Sequence, residues 1–319
     1  MVATTRPPHS PADRPPIDLS GDTRRHRRER VVGAVFFLAA ATSVVVSATI
    51  VVSLFGKGWE FISRADWGNV LTSDTWNPRQ NTFGVRPLVM GSVIVTGIAM
   101  LVAVPLGLGA AVYLSEAAPP RVRAVLKPIL EVLAGVPSVV LGYFALSWIA
   151  PNVVGRIFGE EHGRGGSMLA AGIGVGILTI PLVASVSEDA MRAVPNSLRE
   201  ASAGIGARRI TTTVRVVIPA AVSGLVAAFI LAASRAIGET MVVFIAAGAA
   251  TVGQFTTNPV DSGLTMTAAM ASLATGTDSV KGATLAYPSL YMVGIVLFFL
   301  TLLLNVVGNR FVRRVRQAY

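Results

Sequence analysis

Two ionisable residues interrupt a long apolar run in the last third of the chain. Ser234-Arg235-Ala236-Ile237-Gly238-Glu239-Thr240 lies within the stretch 220–248, which is otherwise free of charge. On a helix, Arg235 would follow Ala220 by about four turns, or ~22 Å at 1.5 Å per residue. That is past the middle of a hydrocarbon core roughly 30 Å thick. Charges at such depth are costly and face a cavity or a partner. Helical positions i and i+4 share a face, so Arg235 and Glu239 allow two readings. They form a buried ion pair that fixes packing, or Arg235 lines a path and binds an anion while Glu239 holds or gates it. A guanidinium presents a planar fork of donors matched to carboxylate or phosphate oxygens. A neighbouring carboxylate would keep the site from trapping its anion. It would also accept the proton that phosphate carries and fully deprotonated sulfate lacks. Ser234 and Thr240 flank the pair and join it as path candidates.

Elsewhere the chain offers no catalytic or metal-binding residues. There is no G-x-x-x-x-G-K-[ST], H-E-x-x-H or G-x-S-x-G motif. His9, His26 and His162 are scattered, and cysteine is absent, which excludes disulfides and thiolate sites. If the protein uses ATP, another chain must hydrolyse it.

The elements that would hold Arg235 follow from composition. Only 14% of the 319 residues are charged and 52% are hydrophobic, where a soluble domain carries about 25% charge. An all-α polytopic membrane protein is expected. Residues 1–30, with five prolines and seven arginines, read as a disordered basic tail. Val31–Phe55 is charge-free and longer than a signal peptide's apolar region, so it reads as a retained, extra N-terminal span. After an outer segment at 56–87, five more spans are expected. They are Leu88–Leu114, Val132–Ala150 with Pro137 inside it, Ser167–Val186, Ala220–Gly248 and Tyr287–Val307. Gly172 and Gly176 form a small-xxx-small face suited to close helix packing. A tail at 310–319 is again basic.

Basic residues are unevenly divided between the two sets of connecting segments. With both termini cytoplasmic, the inner segments hold 19 of the 27 Lys and Arg and the outer segments seven, as the positive-inside rule requires. This topology accounts for the net charge of +10, so no nucleic-acid partner is expected. Lys127 and Glu131, also four apart, read as interfacial anchors. Trp59, Trp67 and Trp76 in the outer segment allow either an interfacial belt or a docking surface. Thr265-Met266-Thr267 reads as the start of a short outer helix or re-entrant piece.

The loop 187–219 carries the most specific pattern. It reads Glu200-Ala201-Ser202, three residues, Gly206, nine residues, then Val216-x-Ile218-Pro219, with Arg208 and Arg209 between. This resembles the EAA loop of ABC importer permeases, with Ser202 in place of the second alanine. Ala-rich sequence favours a short helix, Gly206 permits a tight turn after it, and Pro219 suits the start of the next helix. The resemblance implies a coupling helix that docks in a groove of an ATPase subunit; loop composition alone would suit an ordinary basic loop.

Further stretches narrow the resemblance. Lys127–Leu146, Ser234–Val243, Thr265–Ala274 and Pro105–Glu116 are similar to the phosphate-specific ABC importer permeases, of the PstC rather than the PstA type. The resemblance covers most of 85–309 and implies a type I permease core over 88–309. It implies a homologous PstA-type permease partner, two ATPase subunits that hold ATP and Mg, and an external phosphate-binding protein. The expected setting is the bacterial inner membrane, in contact with lipid, with no cofactor in this chain. Alternatives are a permease for another oxyanion or solute, or a stand-alone secondary anion transporter or channel.

Overall fold

The computed structural model of the protein describes residues 23–248, 252–276 and 285–315. The expected tail therefore lies outside the described residues up to position 22, as do positions 316–319 of the C-terminal tail. The first helix, α1, runs Thr23–Arg64. It begins before the expected Val31 and continues past Phe55, because 23–64 contains no proline to stop it. Residues through Ser53 form one compact unit and residues from Leu54 onward a second.

The second unit is mostly helical. Beyond α1 lies α2 (Trp67–Thr72), whose N-terminus is capped by the Asp66 carboxylate accepting from the Gly68 N–H. Three short strands follow an unanticipated pattern. β1 (Thr75–Asn77) pairs antiparallel with both β2 (Thr82–Phe83) and β3 (Gly253–Gln254). This sheet buries Trp76, which packs with Phe83 and Phe61 at edge-to-face geometry. Trp76 is thus core, while Trp59 and Trp67 are exposed.

The remaining helices are α3 (Arg86–Val112), α4 (Pro120–Ala134), α5 (Ser138–Phe144), α6 (Gly155–Phe158), α7 (Glu160–Gly163), α8 (Met168–Arg192), α9 (Asn196–Gly204), α10 (Arg209–Thr212), α11 (Ile218–Ile237), α12 (Met241–Ala246), α13 (Met266–Thr275) and α14 (Ala286–Val315). Wider π-helical turns extend α3 to Ala117, join α5 to α6 and join α10 to α11. Among the described residues, six stretches are long and apolar enough to cross a membrane: Arg27–Arg64, Arg86–Ala117, Ser138–Phe158, Met168–Arg192, Arg209–Ile237 and Ala286–Arg314.

Two expected spans are corrected. The third does not run through Pro137. That residue caps α5, and 120–134 is a separate helix with no buried residue. Proline cannot donate the backbone hydrogen bond a continuous helix would need. The fifth does not run to Gly248, because α11 stops at Ile237 and α12 starts at Met241. Thr265 does start a short helix, and its hydroxyl caps α13 by accepting from the Ala268 N–H.

Helix α8 is central, packing against α3, α11, α12, α5 and α4. Its glycines make this possible. A Cβ at Gly172 would sit 2.7 Å from the Ile98 Cβ, and one at Gly176 would sit 2.8 Å from the Val102 Cβ. On its other side α8 meets the alanine stripe of α11, where Ala221, Ala228, Ala232 and Ala236 are buried. Overpacking such a seam costs about 1–3 kcal/mol. Gly172→Leu and Gly176→Leu are each expected to lower the thermal midpoint and yield of the purified protein. Gly97→Ala, where a Cβ meets nothing within 4 Å, is expected to leave both unchanged.

Candidate functional site

Arg235 sits in the last turn of α11, with Gly238 in the C-cap position. Glycine costs about 1 kcal/mol in a helix interior, and the chain breaks there. Glu239 and Thr240 therefore fall in the gap before α12. The break is held from outside: the Thr267 hydroxyl of α13 donates to the Glu239 carbonyl at 2.8 Å. The Thr240 hydroxyl donates to the Gly238 carbonyl at 3.3 Å, and the Ser234 hydroxyl reaches the Asn305 amide oxygen of α14 at 3.4 Å.

This geometry overturns the expected Arg235–Glu239 pair. The two residues are not on one helix face, because the helix ends between them. Among the described residues neither side chain makes an ion pair or hydrogen bond. Arg235 is exposed and Glu239 half-buried.

Arg235 instead lines a cavity of about 210 Å³ with Lys127, Glu131, Ser185 and Glu188. Apolar residues, among them Leu178, Pro181 and Leu182, form the rest of the wall. Glu188 is fully buried. Its Oε1 accepts a hydrogen bond from Arg123 of α4, and Arg192 lies 3.9 Å away. Its Oε2 is 3.5 Å from the Lys127 ammonium, which also lies 3.4 Å from Asp189. Lys127 thus faces α8 and not Glu131, its expected helical neighbour. Burial of a carboxylate is tolerated when cations match it, and here three surround it. A larger cleft of about 890 Å³, near Arg164, Gln254 and Asp261, contains none of the path residues read from the sequence.

The sequence reading missed Glu188 because charges after Val186 read as loop, and Arg123 because it fell in the connecting segment before the third span. The signal was available: 178, 181, 185 and 188 are spaced three or four apart and share a helical face.

The EAA-like loop folds as a helix and a tight turn. Gly206 has φ +81°, and its N–H donates to the Ala203 carbonyl at 2.9 Å. The Ser202 and Thr212 hydroxyls lie 2.9 Å apart and fasten α9 to α10. Pro219 stands in the first turn of α11. Arg199 precedes the motif on α9. Its guanidinium meets the Glu116 carboxylate at 2.9 and 3.4 Å, and donates to the Met191 and Val194 carbonyls at 2.9 and 2.7 Å. One side chain thereby ties α9 to the ends of both α3 and α8. Facing outward are Glu200, Ala201, Arg208 and Arg209, together with Ile205 at 88% and Ile210 at 72% exposure. Two exposed isoleucines beside cations and a carboxylate make a surface suited to a protein partner.

Comparison with known proteins gives the family of the chain. The family model described as binding-protein-dependent transport system inner membrane component matches residues 103–317. The phosphate transport system permease protein PstC of Mesorhizobium japonicum is 33% identical over 309 residues, covering 91% of this chain and 92% of that protein. The probable ABC transporter permease protein YqgH of Bacillus subtilis is 34% identical over 71% of this chain and 74% of its own length. PstA 1 of Mycobacterium tuberculosis is 32% identical over 70% of this chain and 71% of its own. Among solved structures, a bacterial alginate ABC transporter chain aligns with TM-score 0.64 at 13% identity, over 92% of this chain and 98% of that one. A chain of the MetNI methionine ABC transporter aligns with TM-score 0.52 at 19% identity, over 71% and 94%. The chain is a multi-pass membrane protein and belongs to the family of binding-protein-dependent transport system inner membrane components.

Proposed function

We propose that the chain is the PstC-type permease subunit of an ATP-driven inorganic phosphate importer. The observation that carries this reading is the Arg235 guanidinium, exposed and without a carboxylate partner at a break in an apolar helix. A cation so placed suits a passing oxyanion better than a structural pair. The near full-length similarity to a phosphate permease supports the choice of phosphate. In this reading a homologous PstA-type permease closes the path opposite Arg235. Ser234, Glu239 and Thr240 line it at the helix break. Both termini face the cytoplasm, and a phosphate-binding protein delivers substrate from the other side. The chain does no chemistry of its own. Two ATPase subunits hold ATP and Mg²⁺, and each permease presents one docking surface to them. On this chain that surface is α9 with Glu200, Ala201, Ser202, Gly206, Arg208 and Arg209. Arg199 transmits movement there to the ends of α3 and α8, because its bonds reach all three.

Two predictions follow from the site. In the assembled complex, Arg235→Gln is expected to lower phosphate uptake per complex by roughly 10- to 100-fold, the loss of one or two charge-assisted bonds. Arg235→Lys is expected to be nearly as poor, since an ammonium lacks the planar fork. Complex yield, measured in parallel, should stay near wild type because no ion pair is broken. Wild-type uptake per complex in Arg235→Gln would remove Arg235 from the path.

Gly206 tests coupling. A β-branched residue at φ +81° costs about 1–2 kcal/mol and distorts the turn after α9. Gly206→Val is expected to insert normally yet fail to capture the ATPase subunits or to link hydrolysis to phosphate. Undiminished phosphate-stimulated ATP hydrolysis in that variant would count against the docking assignment.

A further inference from the structure

We propose that the cavity along α8 is a second oxyanion subsite, in which Lys127 binds phosphate and Glu188 recognises its proton. This rests on the phosphate reading and extends the path beyond Arg235. The cavity holds two cations from different elements, Arg235 at the end of α11 and Lys127 on α4. Leu178, Pro181, Leu182, Ser185 and Glu188 form its floor on one face of α8. The ten steps from 178 to 188 span about 15 Å at 1.5 Å each. The floor therefore leads from the level of the helix break toward the α9 end of α8. A volume of about 210 Å³ equals roughly seven water molecules at their liquid share, enough for a five-atom oxyanion and part of its hydration.

Glu188 supplies the specific observation. Its side chain is fully buried and lines the cavity, and Oε2 accepts no hydrogen bond although it lies 3.5 Å from the Lys127 ammonium. Buried polar atoms without partners are rare in folded proteins. The opposite oxygen, Oε1, is engaged by Arg123, so the carboxylate is held in place while Oε2 has the Lys127 ammonium beside it and no hydrogen bond. A P–OH group donates to such an oxygen while its other oxygens accept from Lys127 and Ser185. Sulfate has no proton to donate and would place a bare oxygen against the carboxylate. A lipid phosphodiester lacks that proton as well, so the site suits free phosphate. The proton-accepting role that the sequence suggested for Glu239 belongs on this account to Glu188.

The test uses the whole complex, permease pair and ATPase subunits, in phosphatidylcholine vesicles supplied with the phosphate-loaded binding protein. Uptake is normalised to assembled complex. Lys127→Gln is expected to raise the half-saturating concentration of inorganic phosphate at least roughly tenfold, as loss of one charge-assisted bond does. Ser185→Ala is expected to raise it about two- to tenfold. Glu188→Gln is expected to let sulfate, added with ATP inside empty vesicles, compete for exit-side binding where wild type ignores it. If Glu188→Gln fails to assemble, the Lys127 and Ser185 variants still decide. Wild-type half-saturation in both, with wild-type exclusion of sulfate, overturns the subsite and leaves the phosphate reading standing. A wild-type complex that takes up no phosphate overturns the phosphate reading itself.

Discussion

A positive charge that pairs with no carboxylate among the described residues is the constraint on which the rest of this molecule turns. Arg235 stands at the end of an apolar helix, and Glu239, four residues on, lies beyond that helix's end. An ammonium or guanidinium in an apolar layer requires water, an anion or a partner chain. The break at Gly238 provides room, and the cavity along α8 provides a polar wall. The Thr267 hydroxyl satisfies the Glu239 carbonyl that the break would otherwise leave open. A continuous helix would have placed Arg235 against Glu239 and closed the site with its own charges.

The glycine and alanine seams explain how so much polarity can sit beside α8. Close approach to α3 at Gly172 and Gly176 and to α11 at its alanines gives α8 a rigid setting on two sides. Its remaining face meets α4, a helix with no buried residue, whose Arg123 and Lys127 reach across to Glu188. At the far end of α8, Arg199 binds the last carbonyls and the Glu116 carboxylate. The charged wall of the cavity and the outward surface of α9 are thus connected by one helix and one guanidinium. Movement of α9 by a partner has a direct mechanical route to the cavity.

Much of this was legible in the sequence, for physical reasons. Long apolar runs mark spans because burial in lipid excludes charge, and each of the six expected spans overlaps a helical stretch long enough to cross a membrane, with the third and fifth broken as described. The turn at Gly206 was legible because only glycine adopts positive φ without cost, and its φ is +81°. Proline and glycine inside apolar runs were harder to read. Pro137 starts a helix and Gly238 ends one here, whereas Pro105 and Pro181 lie inside α3 and α8. Hydropathy cannot separate these cases, since both outcomes are apolar. The contacts of Glu188 with Arg123 and Lys127 and the Glu116–Arg199 bridge join residues 61 or more positions apart, and helical spacing alone does not show which distant charges meet. The small sheet around Trp76 escaped for a related reason, as two- and three-residue strands have no periodicity to detect.

The central claim is that this chain moves phosphate. Its most direct measurement is uptake of labelled phosphate in bacteria that lack their own high-affinity permeases, supplied with this chain and its partner subunits. Sulfate and arsenate serve as competitors. The account predicts ATP-dependent accumulation that arsenate, which carries the same proton, suppresses and a large excess of sulfate does not. Accumulation that sulfate suppresses as well as arsenate does, or that persists when the ATPase subunits are omitted, would contradict it.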